Sequence, residues 1–194
     1  SPARLLPANP FVVIDIPDVK GLLSELQTTQ VAKSLKEPGM MDLVRLIYLP
    51  SMMFMDINVT EVEKSIGEVI SVLSGEACYG RYYPFEGEPY SVFVLGTIGN
   101  EKKVTDTFIR YMKLCGIDDI TDQEEAGLTL YYLLDTISFF FIEDCLVFIT
   151  DARAFYRVID AGKGIRTFEG SVAQKLMHAE SQGGSLMSAY FNTR

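Results

Sequence analysis

Three times along the chain an apolar strand-like segment runs through an Asp or Asn into a helix with one apolar stripe: Val12 to Asp18, Phe93 to Asn100, and Leu146 to Asp151. Asp and Asn at such positions accept hydrogen bonds from the first free N–H groups of a helix, so each is a helix-start signal with a mechanism. The residue identities do not recur, so the repetition is of a supersecondary unit rather than of sequence. It predicts an α+β fold: a mostly antiparallel sheet built from hairpin-plus-helix units, with the helices packed on one face.

The remaining elements fit that plan. Phe11 to Ile16, bounded by Pro10 and Pro17, reads as a strand, and the helix after Asp18 carries Val19, Leu22, Leu23 and Leu26 on one stripe. Helical spacing continues over 31–35 and, after Pro38-Gly39, over 40–49, where Pro50 stops it. A capping box, Thr60-x-x-Glu63, opens a helix with Val62, Ile66, Val69, Ile70 and Leu73 inward and Gly75 at its end. From Ala77 the apolar period changes to two. Strands over 77–83 and 90–98 then flank a loop, which makes a hairpin.

Asn100 starts a helix that Gly116 closes. The acidic stretch from Asp118 to Glu125 reads as a solvated connection to strands over 127–134, 137–142 and 145–150, the last two joined by a tight Glu143-Asp144 turn. A helix from Asp151 to Gly162, a short helix opened by Ser171-x-x-Gln174, and a strand from Ser185 to Phe191 complete the chain. Nothing reads as a linker between independent domains, so residues 1–194 are expected to form a single α+β domain. The unpolished end after Phe191 suggests that it is the N-terminal part of a longer chain.

Charge excludes one class of partner. The 26 acidic against 17 basic side chains leave −9, which repels phosphate backbones, and the basic groups Lys102/Lys103 and Lys163/Arg166 lack flanking cations. Nucleic acid is therefore not expected. No run of about 18 apolar residues is present, so no membrane span is expected within the chain. An opening Ser-Pro-Ala leaves room for an upstream signal or anchor.

Catalytic chemistry finds little purchase. The single His178 sits beside Met177 in an amphipathic segment, and no nucleophile elbow, phosphate loop or dinucleotide fingerprint occurs. Asp118, Asp119, Asp122, Glu124 and Glu125 supply paired carboxylates, the only opening for an unrecognised hydrolase, but in polar sequence without the glycine of a calcium loop. Met40, Met41, Met52, Met53 and Met55 lack a Cys or His partner for copper(I), which favours packing. Asn58-Val59-Thr60 satisfies the glycosylation sequon, although Thr60 is better explained as a cap. Cys78, Cys115 and Cys145 are widely spaced in apolar settings and are expected to be unpaired thiols. No catalytic residue, cofactor or metal site is assigned.

The segment from Tyr79 to Tyr90 is the best candidate for function. Tyr79, Arg81, Tyr82, Tyr83, Phe85 and Tyr90 combine rings, a guanidinium and rigid prolines, the composition of interface hot spots, against the plainer alternative of strand-packing tyrosines.

The opening Leu6-Pro7-Ala8-Asn9-Pro10-Phe11-Val12-Val13 with Asp18-Val19-x-x-Leu22-Leu23 resembles an uncharacterised family of bacterial envelope proteins, whose members begin with Leu-Pro-Ala-Asp-Thr, a strand and a short helix. Further similarity lies in Thr28 to Ala32 with Glu37-Pro38, in Asp144 to Asp151, and in Gly184-Ser185-Leu186; Asn9-Pro10 departs from the family's Asp-Thr. The resemblance implies an extracytoplasmic location, in the periplasm or cell envelope, and a non-enzymatic default; together with the missing catalytic apparatus it leads to the expectation of a structural or protein-interaction module with a protein partner or self-association. A Met- and Phe-rich composition leaves open the binding of an apolar small molecule or lipid.

Overall fold

The computed structural model describes residues 1–28, 59–134, 137–180 and 187–192. Among the described residues eight strands form one antiparallel sheet in the order β4-β5-β6-β7-β3-β2-β1-β8, with β1 Val12–Ile16, β2 Leu73–Tyr82, β3 Tyr90–Thr97, β4 Thr121–Glu125, β5 Leu128–Leu134, β6 Ile137–Ile142, β7 Cys145–Ile149 and β8 Ser188–Phe191. The helices are α1 Val19–Thr28, α2 Val59–Ser71, α3 Glu101–Leu114, α4 Arg153–Gly162 and α5 Val172–Glu180, preceded by a 3-10 turn over Pro2–Leu5. The fold is α+β, as the alternation of strand and helix signals requires.

The helices cover both faces of the sheet, not one. On the first face the 3-10 turn, α4 and α5 pack over Val13, Cys78, Val92, Val94, Phe140 and Val147. On the second, α1, α2 and α3 pack over Ala77, Leu95, Phe139, Phe141 and Leu146. Strand order explains the division. α3 carries the chain from β3, in the middle of the sheet, to β4 at one edge, while α4 and α5 carry it from β7 to β8 at the other edge. Each crossover lies over a different face, so the middle strands are buried on both sides, and β3 has seven of its eight residues buried.

Local chemistry sets most boundaries. Asp18 Oδ1 accepts from Gly21 N (2.8 Å), Asn100 Oδ1 from Lys103 N (2.9 Å) and Ser171 Oγ from Gln174 N (3.1 Å), each satisfying a free donor at a helix start. Asp151 Oδ1 takes Arg153 N (2.8 Å), so the aspartate starts α4 from two residues upstream. Gly116, at φ 82°, ends α3 as expected.

Three boundaries differ from expectation. α2 starts at Val59, which places Thr60 within the first turn rather than at the cap. It ends at Ser71, and Gly75 lies inside β2, at φ 110°, where the β2–β3 register shifts between Leu73 and Ala77; the glycine serves a bulge. The acidic stretch is no loop: Thr121–Glu125 pairs with β5 around a two-residue turn, Ala126-Gly127, both with positive φ. Its carboxylates sit on an edge strand, where charge discourages further pairing.

The expected helices over 31–35 and 40–49, the methionine group and Asn58 lie outside the described residues. The final strand is seen from Ser188 to Phe191, paired with β1. Cys78 and Cys145 are buried, Cys115 is half-buried, and all three are free thiols.

Candidate functional site

Period two divides the six candidate residues between the faces of the β2–β3 hairpin. Tyr82 and Tyr90 are register partners on the first face, their rings stacked 4.7 Å apart at 7°, and both are buried. Tyr82 donates its hydroxyl to Pro7 O (3.0 Å), and Arg157 Nη1 donates to the Tyr90 hydroxyl (2.8 Å) from a guanidinium 5.2 Å above the ring centroid. Burial pushes the Tyr82 phenol well above its ordinary value and raises Tyr90 as well, although Arg157 pulls Tyr90 the other way. These two are core residues.

Tyr79 and Arg81 point to the second face and meet at Ser91, whose Oγ accepts from Arg81 Nη1 (2.9 Å) and lies 2.9 Å from the Tyr79 hydroxyl. Ser91 N in turn donates to Thr150 Oγ1 (2.8 Å), which ties this polar group to the end of β7.

Tyr83 and Phe85 remain on the surface. Tyr83 is 60% exposed and Phe85 fully exposed at the hairpin tip. A residue missed by sequence reasoning joins them: Phe11 packs edge-to-face on Tyr83, centroids 5.0 Å apart, with the Arg81 guanidinium 5.5 Å over the same ring. The backbone places Phe11 there, because its N–H donates to Arg81 O (2.7 Å) and its carbonyl accepts from Asn192 N (2.7 Å). Phe191, opposite Val12 on the edge strand, is 62% exposed. The signal available in sequence was Phe11 beside Pro10, at the position just before β1 that lies level with the hairpin end.

The loop between the strands is constrained as well. Gly87 has φ 95°, and a side chain there would also collide with the Arg153 guanidinium, which is itself held by Asp151. The tip therefore rests on the start of α4.

Elsewhere on the second face lies an apolar cleft of about 510 Å³, walled by Phe93, Met112, Ile117, Leu133, Ile137 and Phe148. Tyr79, Ser91 and Thr150 also line it, so the polar group at Ser91 belongs to its wall. The volume falls in the range of small-molecule sites.

The other candidates are dispersed. Asp118, Asp119, Asp122 and Glu124 are exposed, Glu124 accepting from Thr129 (2.8 Å), and Glu125 accepts from the Tyr156 hydroxyl. Among the described residues no three His, Cys, Asp or Glu side chains are grouped to hold a metal, and no helix is long and apolar enough to cross a membrane. His178 falls in α5.

No protein-family model matches the chain, and no curated protein matches it. Among solved structures, crystal form III of TP0453 is similar in fold, with a TM-score of 0.55 over 98% of this chain at 9% identity, and crystal form I gives 0.49 over 99% at 9% identity. The chain spans 63% and 62% of those two chains.

Proposed function

We propose that this chain is a non-enzymatic interaction module, working outside the cytoplasm, that docks a protein partner through the aromatic end of its sheet. The observation that carries the reading is Phe85: a large apolar side chain left fully exposed on a loop that passes close against the Arg153 guanidinium at Gly87. Tyr83, packed against Phe11, and Phe191 expose further apolar surface at the same end of the sheet, and apolar surface of this kind marks binding sites. Rigid aromatic rings lose little conformational entropy on docking. Glu86 and Glu88 flank the tip in a chain of charge −9, so the partner offers an apolar pocket with a basic rim. The envelope resemblance of the opening segment supports the location.

The test is a photo-crosslinking residue at position 85 in intact source cells. One discrete adduct, lost when Tyr83 and Phe11 are changed to serine, is the expected result. A crosslinked population that runs wholly as monomer would refute the docking role.

A second reading, the binding of an apolar small molecule, is favoured by the cleft walled by Phe93, Leu133 and Phe148. Native mass spectrometry of gently purified protein should then show a discrete added mass, absent from Leu133→Arg.

A further inference from the structure

On the first face a separate cavity of about 380 Å³ opens between the segment before β1, the hairpin and the end of α4. Its lining residues include the stacked Tyr82 and Tyr90, two arginines, Arg157 and Arg166, and one acidic residue, Asp160. Arg4, Arg110 and Arg153 each pair with a carboxylate, whereas both cavity arginines, Arg157 and Arg166, pair with none among the described residues, and neither does Arg81, which bonds Ser91 away from the cavity. Arg157 gives one N–H to Tyr90, and Arg166 has no side-chain partner there.

The cavity is also a place of backbone strain. Of the four non-glycine residues with positive φ among the described residues, Ala126 and Glu143 turn hairpins; the other two, Asn9 (58°) and Arg166 (51°), both line this cavity. Asn9 precedes Pro10, a position that sterics drive toward extended backbone. Such conformations persist only where the surroundings over-determine them. Here Ala8 N donates to Arg166 O (2.5 Å), Phe168 N to Leu6 O (2.8 Å) and Thr167 Oγ1 to Arg4 O (2.8 Å), lacing the two segments together.

We propose that this cavity binds a small organic monocarboxylate: its carboxylate on Arg157 and Arg166, its apolar body against Tyr83, Pro84 and Ile165. Two guanidiniums and Asp160 leave one net positive charge, which matches a monoanion. The Tyr90 hydroxyl accepts from Arg157 and keeps its own proton to donate, since burial holds the phenol neutral. Guanidinium–carboxylate pairing supplies orientation as well as attraction.

Phenylacetate is the probe. Titrated into the ¹⁵N-labelled 194-residue chain at constant ionic strength, it should give saturable shifts at the amides of Ala8, Tyr90, Arg157 and Arg166. Arg157→Gln and Arg166→Gln should each weaken the response by about tenfold or more, with unchanged circular dichroism. Arg110→Gln, on α3 over the opposite face of the sheet, should leave it intact, and Asp160→Asn should tighten it. The absence of saturable shifts at millimolar phenylacetate, an equal response to inorganic phosphate, or full binding in the Arg157→Gln/Arg166→Gln double variant would each overturn the assignment.

Discussion

Phe139 and Phe140 are neighbours on β6, both fully buried, and they face opposite ways. Phe139 stacks on Tyr131 (4.8 Å) and lies 5.6 Å from Phe148, under α3; Phe140 meets Phe155 of α4 edge-to-face at 4.8 Å. A phenylalanine buries at least about 150 Å², and at about 25 cal/mol per Å² the whole side chain contributes roughly 4 kcal/mol. Truncation to alanine in a core costs about 3–5 kcal/mol once the cavity left behind is included. Phe139→Ala and Phe140→Ala should therefore each remove about 3–5 kcal/mol, by nearly the same amount. Urea unfolding followed by circular dichroism measures both, with unchanged m-values showing that the two states being compared are the same. If the sheet were covered on one face only, one variant would be nearly neutral. A cost below about 1 kcal/mol for either would refute the two-faced core.

Ala126 holds a left-handed backbone at φ 51° in the β4–β5 turn, so Ala126→Gly should stabilise by about 1 kcal/mol, read as a higher urea midpoint at constant m. Hydrogen bonds from Arg153 hold the Asp151 carboxyl below its ordinary 3.8, so the stabilisation is full above that pH and is lost as pH falls from 3.8 through the lower folded value. The midpoint gap between wild type and Asp151→Asn should accordingly close in that window and stay constant at neutral pH. Burial pushes the Cys145 thiol up to about 12 and Cys78 well above its ordinary value. Native alkylation should thus label the half-buried Cys115 first, and denaturation without reductant should give three labels by intact mass.

Elements framed by their own local chemistry were legible in sequence. α3 carries its start and stop in Asn100 and Gly116, and the Glu143-Asp144 turn is marked by the apolar runs it joins. β4 was not legible, because both its faces are exposed and no apolar alternation marks it; only pairing with β5 makes it a strand. The placement of helices on both faces was encoded but easily misread, since the unbroken run Phe139-Phe140-Phe141 records burial on both sides rather than simple hydrophobicity. Of the aromatic group, alternation alone separates Tyr82 and Tyr90 from Tyr79 and Arg81. The partnership with Phe11, like the meeting of Asn9 with Arg166, depends on chain segments that no local pattern connects.

Strand order sets how the molecule must be made. β4 to β7 form a meander of consecutive antiparallel neighbours, able to assemble as each strand leaves the ribosome. β1 has the opposite fate. Its partner on one side is β2, but the other side pairs with β8, Val12 against Phe191, so the second edge stays open until β8 has been made. The Leu6 carbonyl waits nearly as long for Phe168. Contacts this distant in sequence close late and slow folding, and an open apolar edge is where nascent chains pair wrongly. Fragments stopped before β8 should therefore be more prone to aggregate than the 194-residue chain, whatever their content of finished secondary structure.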